Sequence, residues 1–237
     1  LTRGESFLNP EGYSDKSVLI TGAGGFIATI MLMNLHALGR PVRALVHYNS
    51  RDDLGNLALL PKRYVENVEI LKGDVTDSFF VRNAMKDCAV VFHLAAQISV
   101  PFSYKAPRSF IATNLIGTQN ILDAALDLGT ERVVTISSSE VYGTAQSVPI
   151  NEGHPLSAQS PYAAGKIAAD QLALSYHRSY GLPVTLVRPF NTYGPGQSAR
   201  AIVSTLITQA LASKEVRIGN PKPIRDFTYV DDVAAGI

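Results

Sequence analysis

The sequence carries one cysteine, Cys88, so no internal disulfide forms, and that fits a reducing compartment such as the cytoplasm. Its five histidines are scattered and no cysteine pair stands beside them, which argues against a structural metal centre. Neither sign of charge dominates. With 21 Lys plus Arg against 20 Asp plus Glu, no global field draws the chain to nucleic acid or to an anionic membrane surface. Long apolar runs are missing too, and none approaches the length of a membrane span. The first sixteen residues are polar, lack the apolar core of a signal peptide and read as a flexible arm. No internal repeat, low-complexity run or linker divides the rest.

What is present describes an ordinary globular protein: of 237 residues, 46% are hydrophobic and 17% charged, enough for a substantial core. Short apolar, β-branched runs at 17–21, 42–46, 68–71, 89–94, 132–136 and 184–188 alternate with helical patterns, among them 78–86, 107–128, 161–180 and 201–212. Such alternation implies an α/β fold, a doubly wound parallel sheet with helices on both faces. Residues 17–190 read as a Rossmann dinucleotide-binding domain and residues 191–237 as a partial substrate-binding region interleaved with it. A last helix opens near Asp231 and stops after about two turns. Its apolar face would be left unmatched, so a further C-terminal portion is expected.

Thr21-Gly22-x-x-Gly25-x-x-Ala28 joins the first strand to a helix, the context in which a glycine motif carries meaning. Gly22, Gly24 and Gly25 permit a tight turn and close approach to a pyrophosphate, whose charge meets the helix N-terminus at Phe26 and Ile27. An acid about twenty residues on, to hold a ribose 2′-hydroxyl, is absent. Asn49, Ser50 and Arg51 stand there instead and suit either a hydroxyl or a 2′-phosphate, so NAD and NADP both remain open. Asp74 and Val75 follow the third strand, where a carboxylate can reach an adenine amino group or simply cap a turn. Leu94, Ala95 and Ala96 end the fourth strand with small residues for a cofactor to lie across. His93 just before them reads as a packed strand residue, and Cys88 as inert core.

The chemistry concentrates in Ile136-Ser-Ser-Ser-Glu140 and in Tyr162-Ala-Ala-Gly-Lys166. The first closes a buried strand with three serines and a glutamate. The second opens a helix, so Tyr162 and Lys166, four apart, share a face. An ammonium beside a phenol is expected to favour the phenolate and lower the tyrosine pKa, making a proton acceptor usable near neutral pH.

Together these stretches resemble the extended short-chain dehydrogenase/reductase superfamily, in its NAD-dependent epimerase/dehydratase branch. The matching segments run from Ser17 to the last residue: Thr21-Gly-x-x-Gly25, Gly73-Asp-Val75, His93-Leu-Ala-Ala96, Asn114-x-x-Gly-Thr118, Ser137-Ser-Ser-Glu140, Tyr162-x-x-x-Lys166, Arg188-Pro-Phe-Asn191 and Arg225-Asp-Phe-x-Tyr-Val230. Glu140 makes the chain similar to nucleotide-sugar 4,6-dehydratases. The loop at 42–50 resembles the LegB-type dehydratases of N-acetylglucosamine nucleotides and, less closely, GDP-mannose 4,6-dehydratase. The resemblance implies Ser138, Glu140, Tyr162 and Lys166 as catalytic residues, with Tyr162, Lys166 and Pro189 also touching a bound NAD or NADP. It implies a nucleotide-sugar substrate held by Gln97, Ser99, Ser138, Ser139, Asn191, Arg200 and Arg225. Ser139 stands where dTDP-glucose dehydratases carry an acid, which leaves Glu140 to act as base and acid in turn. The helices opening at Pro107 and Pro161 resemble a dimer-forming pair, implying a homodimer. An epimerase or a UDP-glucuronate decarboxylase would use the same serine, tyrosine and lysine. A non-catalytic sensor on this fold would have no need of Glu140 beside them.

Overall fold

The computed structural model describes residues 16–220 and 222–237. The expected arm, all but Lys16, lies outside the described residues. Six strands form one parallel sheet: β1 (Ser17–Thr21), β2 (Val42–His47), β3 (Glu69–Gly73), β4 (Cys88–His93), β5 (Arg132–Ile136) and β6 (Val184–Val187). Their order is β3-β2-β1-β4-β5-β6, the doubly wound arrangement, with the chain reversing direction across the sheet between β1 and β4.

The period of two along these strands divides the core in two. Val18 and Ile20 of β1, Val90 and Phe92 of β4, and Val134 and Ile136 of β5 face one layer. There they meet Met31, Leu32 and Leu35 of α1 (Phe26–Ala37). Leu19, Val91 and Val133 point the other way. They pack on α2 (Ser78–Ala84), α5 (Gly117–Leu128) and α6 (Pro161–Tyr180) through Val81, Ile121, Leu122 and Ala173. Each fully buried aliphatic side chain of this kind stabilises the fold by about 1.5–3 kcal/mol before entropy is counted. Both faces of the sheet are covered, which explains the near-continuous apolar character of its inner strands.

The helical pattern at 107–128 is not one regular helix. It divides into α4 (Pro107–Phe110), a π-helical turn (Ile111–Ile116) and α5, which ends on left-handed Gly129. The widened turn contains Asn114, buried and engaged with the loop after β4, and widened turns of this sort recur at functional sites. A short α3 (Val100–Ser103) precedes it. The helix α6 opens as its sequence dictates, with Ser160 accepting from Ala163 N at 3.0 Å and Pro161 in the first turn.

Beyond β6 the chain forms a second, two-stranded parallel sheet from β7 (Asn191–Tyr193) and β8 (Phe227–Tyr229), with α7 (Ile202–Ala212) between them. Strands of three residues are too short to show a periodicity. The closing helix α8 (Val230–Gly236) returns to α1, and Ala234 joins its core layer. No helix among the described residues is long and apolar enough to cross a membrane.

Candidate active site

At the carboxyl ends of β1, β2, β4 and β5 lies a cleft of ≈ 550 Å³. Such crevices outside the strand ends, where the winding reverses, are where open parallel sheets bind ligands. Gly22, Gly24, Gly25, Phe26 and Ile27 form its floor, Leu94 and Ala96 one wall, and Ser138, Tyr162, Lys166 and Pro189 the far end.

The floor is built by close backbone packing. Gly22 has φ +68°, and a Cβ there would stand 2.8 Å from the Ala95 backbone. A Cβ on Gly24 would meet the Leu54 carbonyl at 2.6 Å. Asn56 N donates to Gly24 O at 2.9 Å, and Asn56 Nδ2 donates to Gly196 O at 2.8 Å. The loop after β2 therefore lies against the glycine turn and reaches the segment that follows β7. A turn stripped of side chains at the N-terminus of α1 suits a dinucleotide pyrophosphate. At the other end Ser137 Oγ is buried with no hydrogen-bond partner among the described residues, a group that a bound polar ligand would satisfy.

Ser138, Tyr162 and Lys166 come together from two elements. Tyr162 and Lys166 are buried on α6, with the Phe110 ring edge-on to Tyr162 at a centroid distance of 6.3 Å. Lys166 Nζ donates to the Ile136 carbonyl at the end of β5, at 2.8 Å. Burial lowers Lys166 to about 8, against a raising influence from Asp170. The expected lowering of Tyr162 by Lys166 is overturned: the phenol is raised. Burial pushes the phenol up, its hydrogen bond with Ser138 draws it down, and the carboxylates of Glu140 and Asp170 push it up again. Glu140 lies in a 3₁₀ turn (Ser139–Tyr142) whose cap is Ser138: Glu140 N donates to Ser138 Oγ at 3.2 Å.

His93 occupies a buried hydrogen-bond chain that runs in one direction. Thr118 Oγ1 gives its one proton to Asn114 O at 2.7 Å, so it accepts from His93 Nε2 at 3.0 Å. His93 Nδ1 is then an acceptor for Thr21 Oγ1 at 2.8 Å, and Thr21 Oγ1 in turn accepts from Ala95 N at 3.1 Å. Burial, and secondarily Lys166, lowers His93 to about 3, consistent with a neutral ring. The packed-residue expectation holds, and the chain ties β1, β4 and the π-helical turn together. Asn114 extends it by bracketing Gln97, accepting from its N at 2.8 Å and donating to its O at 2.9 Å.

Other expected contacts fall elsewhere. Asn49 lines the cleft, but Ser50 and Arg51 do not, and both are exposed. Asp74 Oδ1 caps its own turn, accepting from Thr76 N and Oγ1 at 2.8 and 2.9 Å, while Oδ2 lies 3.6 Å from His47 Nδ1. Val75 is core, wedged against Gly117, and Ala95 backs the glycine turn. Gln97 accepts from Ser109 Oγ, and Ser99 caps α3. Neither lines the cleft, nor do Ser139, Glu140, Asn191, Arg200 or Arg225, the last two being exposed. Residues that sequence reasoning missed, including His47, Asp53, Gly55, Phe190 and Thr192, complete the lining. The Asp-Leu-Gly turn at 53–55 was the available signal.

Residues 19–237 match the family model described as GDP-mannose 4,6 dehydratase. The chain belongs to that family. It is 34% identical over 226 residues to a dTDP-glucose 4,6-dehydratase of Actinoplanes sp., covering 93% of this chain and 71% of that protein. Its fold is similar to a solved dTDP-glucose 4,6-dehydratase, a DesIV double mutant from Streptomyces venezuelae with NAD bound. There the TM-score is 0.85 at 31% identity, over 92% of this chain and 70% of the other. A UDP-N-acetylglucosamine 4-epimerase from Methanobrevibacter ruminantium is also similar, at TM-score 0.84 and 32% identity, over 93% and 71% of the two chains. The neighbours of this chain therefore include both a nucleotide-sugar dehydratase and a nucleotide-sugar epimerase.

Proposed function

We propose that this chain is a nucleotide-sugar 4,6-dehydratase that uses NAD and acts on an N-acetylglucosamine nucleotide. The observation that carries the reaction type is Glu140, a carboxylate two residues after Ser138 in the turn that Ser138 caps, and close enough to act on the charge of Tyr162. Support for the sugar comes from the epimerase neighbour, and support for NAD from the dinucleotide cleft and from the NAD-bound dehydratase neighbour.

Bound NAD supplies a hydride acceptor and then a hydride donor, with no net redox change. The protein's own groups handle the protons. Tyr162, hydrogen-bonded with Ser138, takes the proton of the sugar 4-hydroxyl, and the buried Lys166 ammonium stabilises the phenolate that forms. Once C4 is a ketone, the C5 hydrogen is acidic. Glu140 removes it and passes it to the departing 6-hydroxyl, so one water leaves; as C6 receives the hydride, C5 takes up a solvent proton through Glu140. Asn191, Arg200 and Arg225 belong to the sugar-diphosphate side, where an arginine fork matches phosphate geometry. Ile111, Ile116 and Leu126 leave apolar surface exposed along the π-helical turn and α5, and this face with α6 is proposed to form a homodimer. The reduced, buried thiol of Cys88 fits a cytoplasmic setting.

An epimerase is the second reading, favoured by the Ser138, Tyr162 and Lys166 set, which it would share. Mass spectrometry after incubation with a panel of UDP- and dTDP-sugars separates the two. Loss of one water supports the dehydratase, and an isomer of unchanged mass supports the epimerase. Loss of carbon dioxide from a glucuronate nucleotide would make it a decarboxylase.

A further inference from the structure

The strand β2 ends in His47, and no acid stands where a ribose-binding acid is ordinarily found. The loop that follows carries three charged residues in a row, Arg51, Asp52 and Asp53, and the structure disposes of them differently. Arg51 is exposed and does not line the cleft. Asp52 is paired with Lys72 on β3. Asp53 alone of the three lines the cleft, beside Val46, His47 and Asn49.

Its position is tightly specified. Asn49 brackets it, accepting from Asp53 N at 3.0 Å and donating to Asp53 O at 2.8 Å. Asp53 Oδ1 accepts from Gly55 N at 2.8 Å, which uses one carboxylate oxygen and leaves Oδ2 without a hydrogen-bond partner among the described residues. Gly55 has φ +60°, and a Cβ on it would stand 2.6 Å from Gly24 O. The turn that presents Asp53 is thereby pressed against the glycine loop, at the end of the cleft away from Tyr162.

We propose that Asp53 selects NAD over NADP, serving from the loop as the acid that the strand end lacks. A carboxylate accepts a hydrogen bond from a ribose 2′-hydroxyl, and it repels a 2′-phosphate of the same charge sign. This assignment rests on the cleft holding a nicotinamide dinucleotide. It makes Asp53, and not Arg51, the residue that reads the ribose.

The test is direct binding of NAD and of NADP to the purified full chain by isothermal titration calorimetry, without sugar substrate. The parent protein is expected to bind NAD more tightly. Asp53→Asn keeps an oxygen for Gly55 N and removes the charge, so the NAD-to-NADP affinity ratio should fall about 10- to 100-fold, as befits one charge-assisted contact. Asp53→Ser should shift it the same way, and it guards against misfolding of the first variant. An unchanged ratio in both variants, or a ratio that moves with Arg51→Ala and not with Asp53, overturns the proposal. Failure of the parent protein to bind either dinucleotide would instead remove the cofactor reading beneath it.

Discussion

Arg188 Nε donates to Asp170 Oδ2 at 2.9 Å, and Asp170 lies one helical turn after Lys166 on α6. The guanidinium also donates from Nη1 to Tyr142 Oη at 3.1 Å and sits over that ring, 5.3 Å from its centroid. The pair is almost wholly enclosed, with side-chain exposures of 14% and 3%. A buried ion pair adds little net stability, but losing one partner strands the other. Asp170→Asn is therefore expected to cost about 3–5 kcal/mol in urea unfolding. The double change Asp170→Leu with Arg188→Met should recover most of that loss, and failure to recover it would show that the pair is more than a mutual neutralisation.

The same substitution has a consequence for Lys166. Asp170 raises the Lys166 pKa, against the burial that lowers it to about 8. Without Asp170 the ammonium should lose its proton at lower pH. The alkaline limb of activity attributable to Lys166 is then expected to move toward neutrality in Asp170→Asn, measured as kcat against pH. A limb that stays put or moves upward contradicts this coupling.

His93 makes stability acid-sensitive. Its folded pKa is lowered to about 3, below the ordinary 6.5, so the unfolded chain binds the additional proton between those values. The contribution is complete above about pH 6.5 and is lost as pH falls through the folded pKa. His93→Gln removes the titration. Its urea midpoint should decline less between pH 6.5 and 4 than that of the parent protein, though it starts lower from loss of a buried hydrogen bond.

Glu140→Gln keeps shape and hydrogen bonding and deletes the proton acceptor. Dehydration is expected to fall by about 10²–10⁴-fold, the usual loss for a positioned acid–base group. Incorporation of solvent deuterium at C5, followed by NMR, should disappear with it. Turnover at the parent rate would make Glu140 a structural residue.

Gly24→Ala tests the floor of the cleft. The new methyl would press on the Leu54 carbonyl, where only 2.6 Å is free, and push the β2 loop off the glycine turn. Dinucleotide affinity, read by isothermal titration calorimetry, should drop, and the melting temperature should fall with it, since Leu57 of the same loop belongs to the first core layer and Leu54 packs against it. Unchanged affinity would show that the loop adjusts without disturbing the site.

Much of this protein is legible in its sequence because the signals are local. Strands β1 to β6 announce themselves by apolar β-branched runs, α6 by Ser160 ahead of it, Pro161 at its first position and Gly181 behind it, and the glycine turn by its place between strand and helix. The four-residue spacing of Tyr162 and Lys166 suffices to put them on one face. What the tertiary structure alone decides depends on long-range packing. The π-helical break inside residues 107–128 coincides with a pincer between Asn114 and Gln97, seventeen residues apart. The Tyr162 phenol is pushed up and not down, because burial, joined by the carboxylates of Glu140 and Asp170, outweighs the Ser138 hydrogen bond, and no spacing rule reports burial. Asp53 reaches the cleft because the β2 loop folds back so that Gly55 lies against Gly24; the Asp-Leu-Gly pattern signals a turn, but where that turn docks is set by long-range packing.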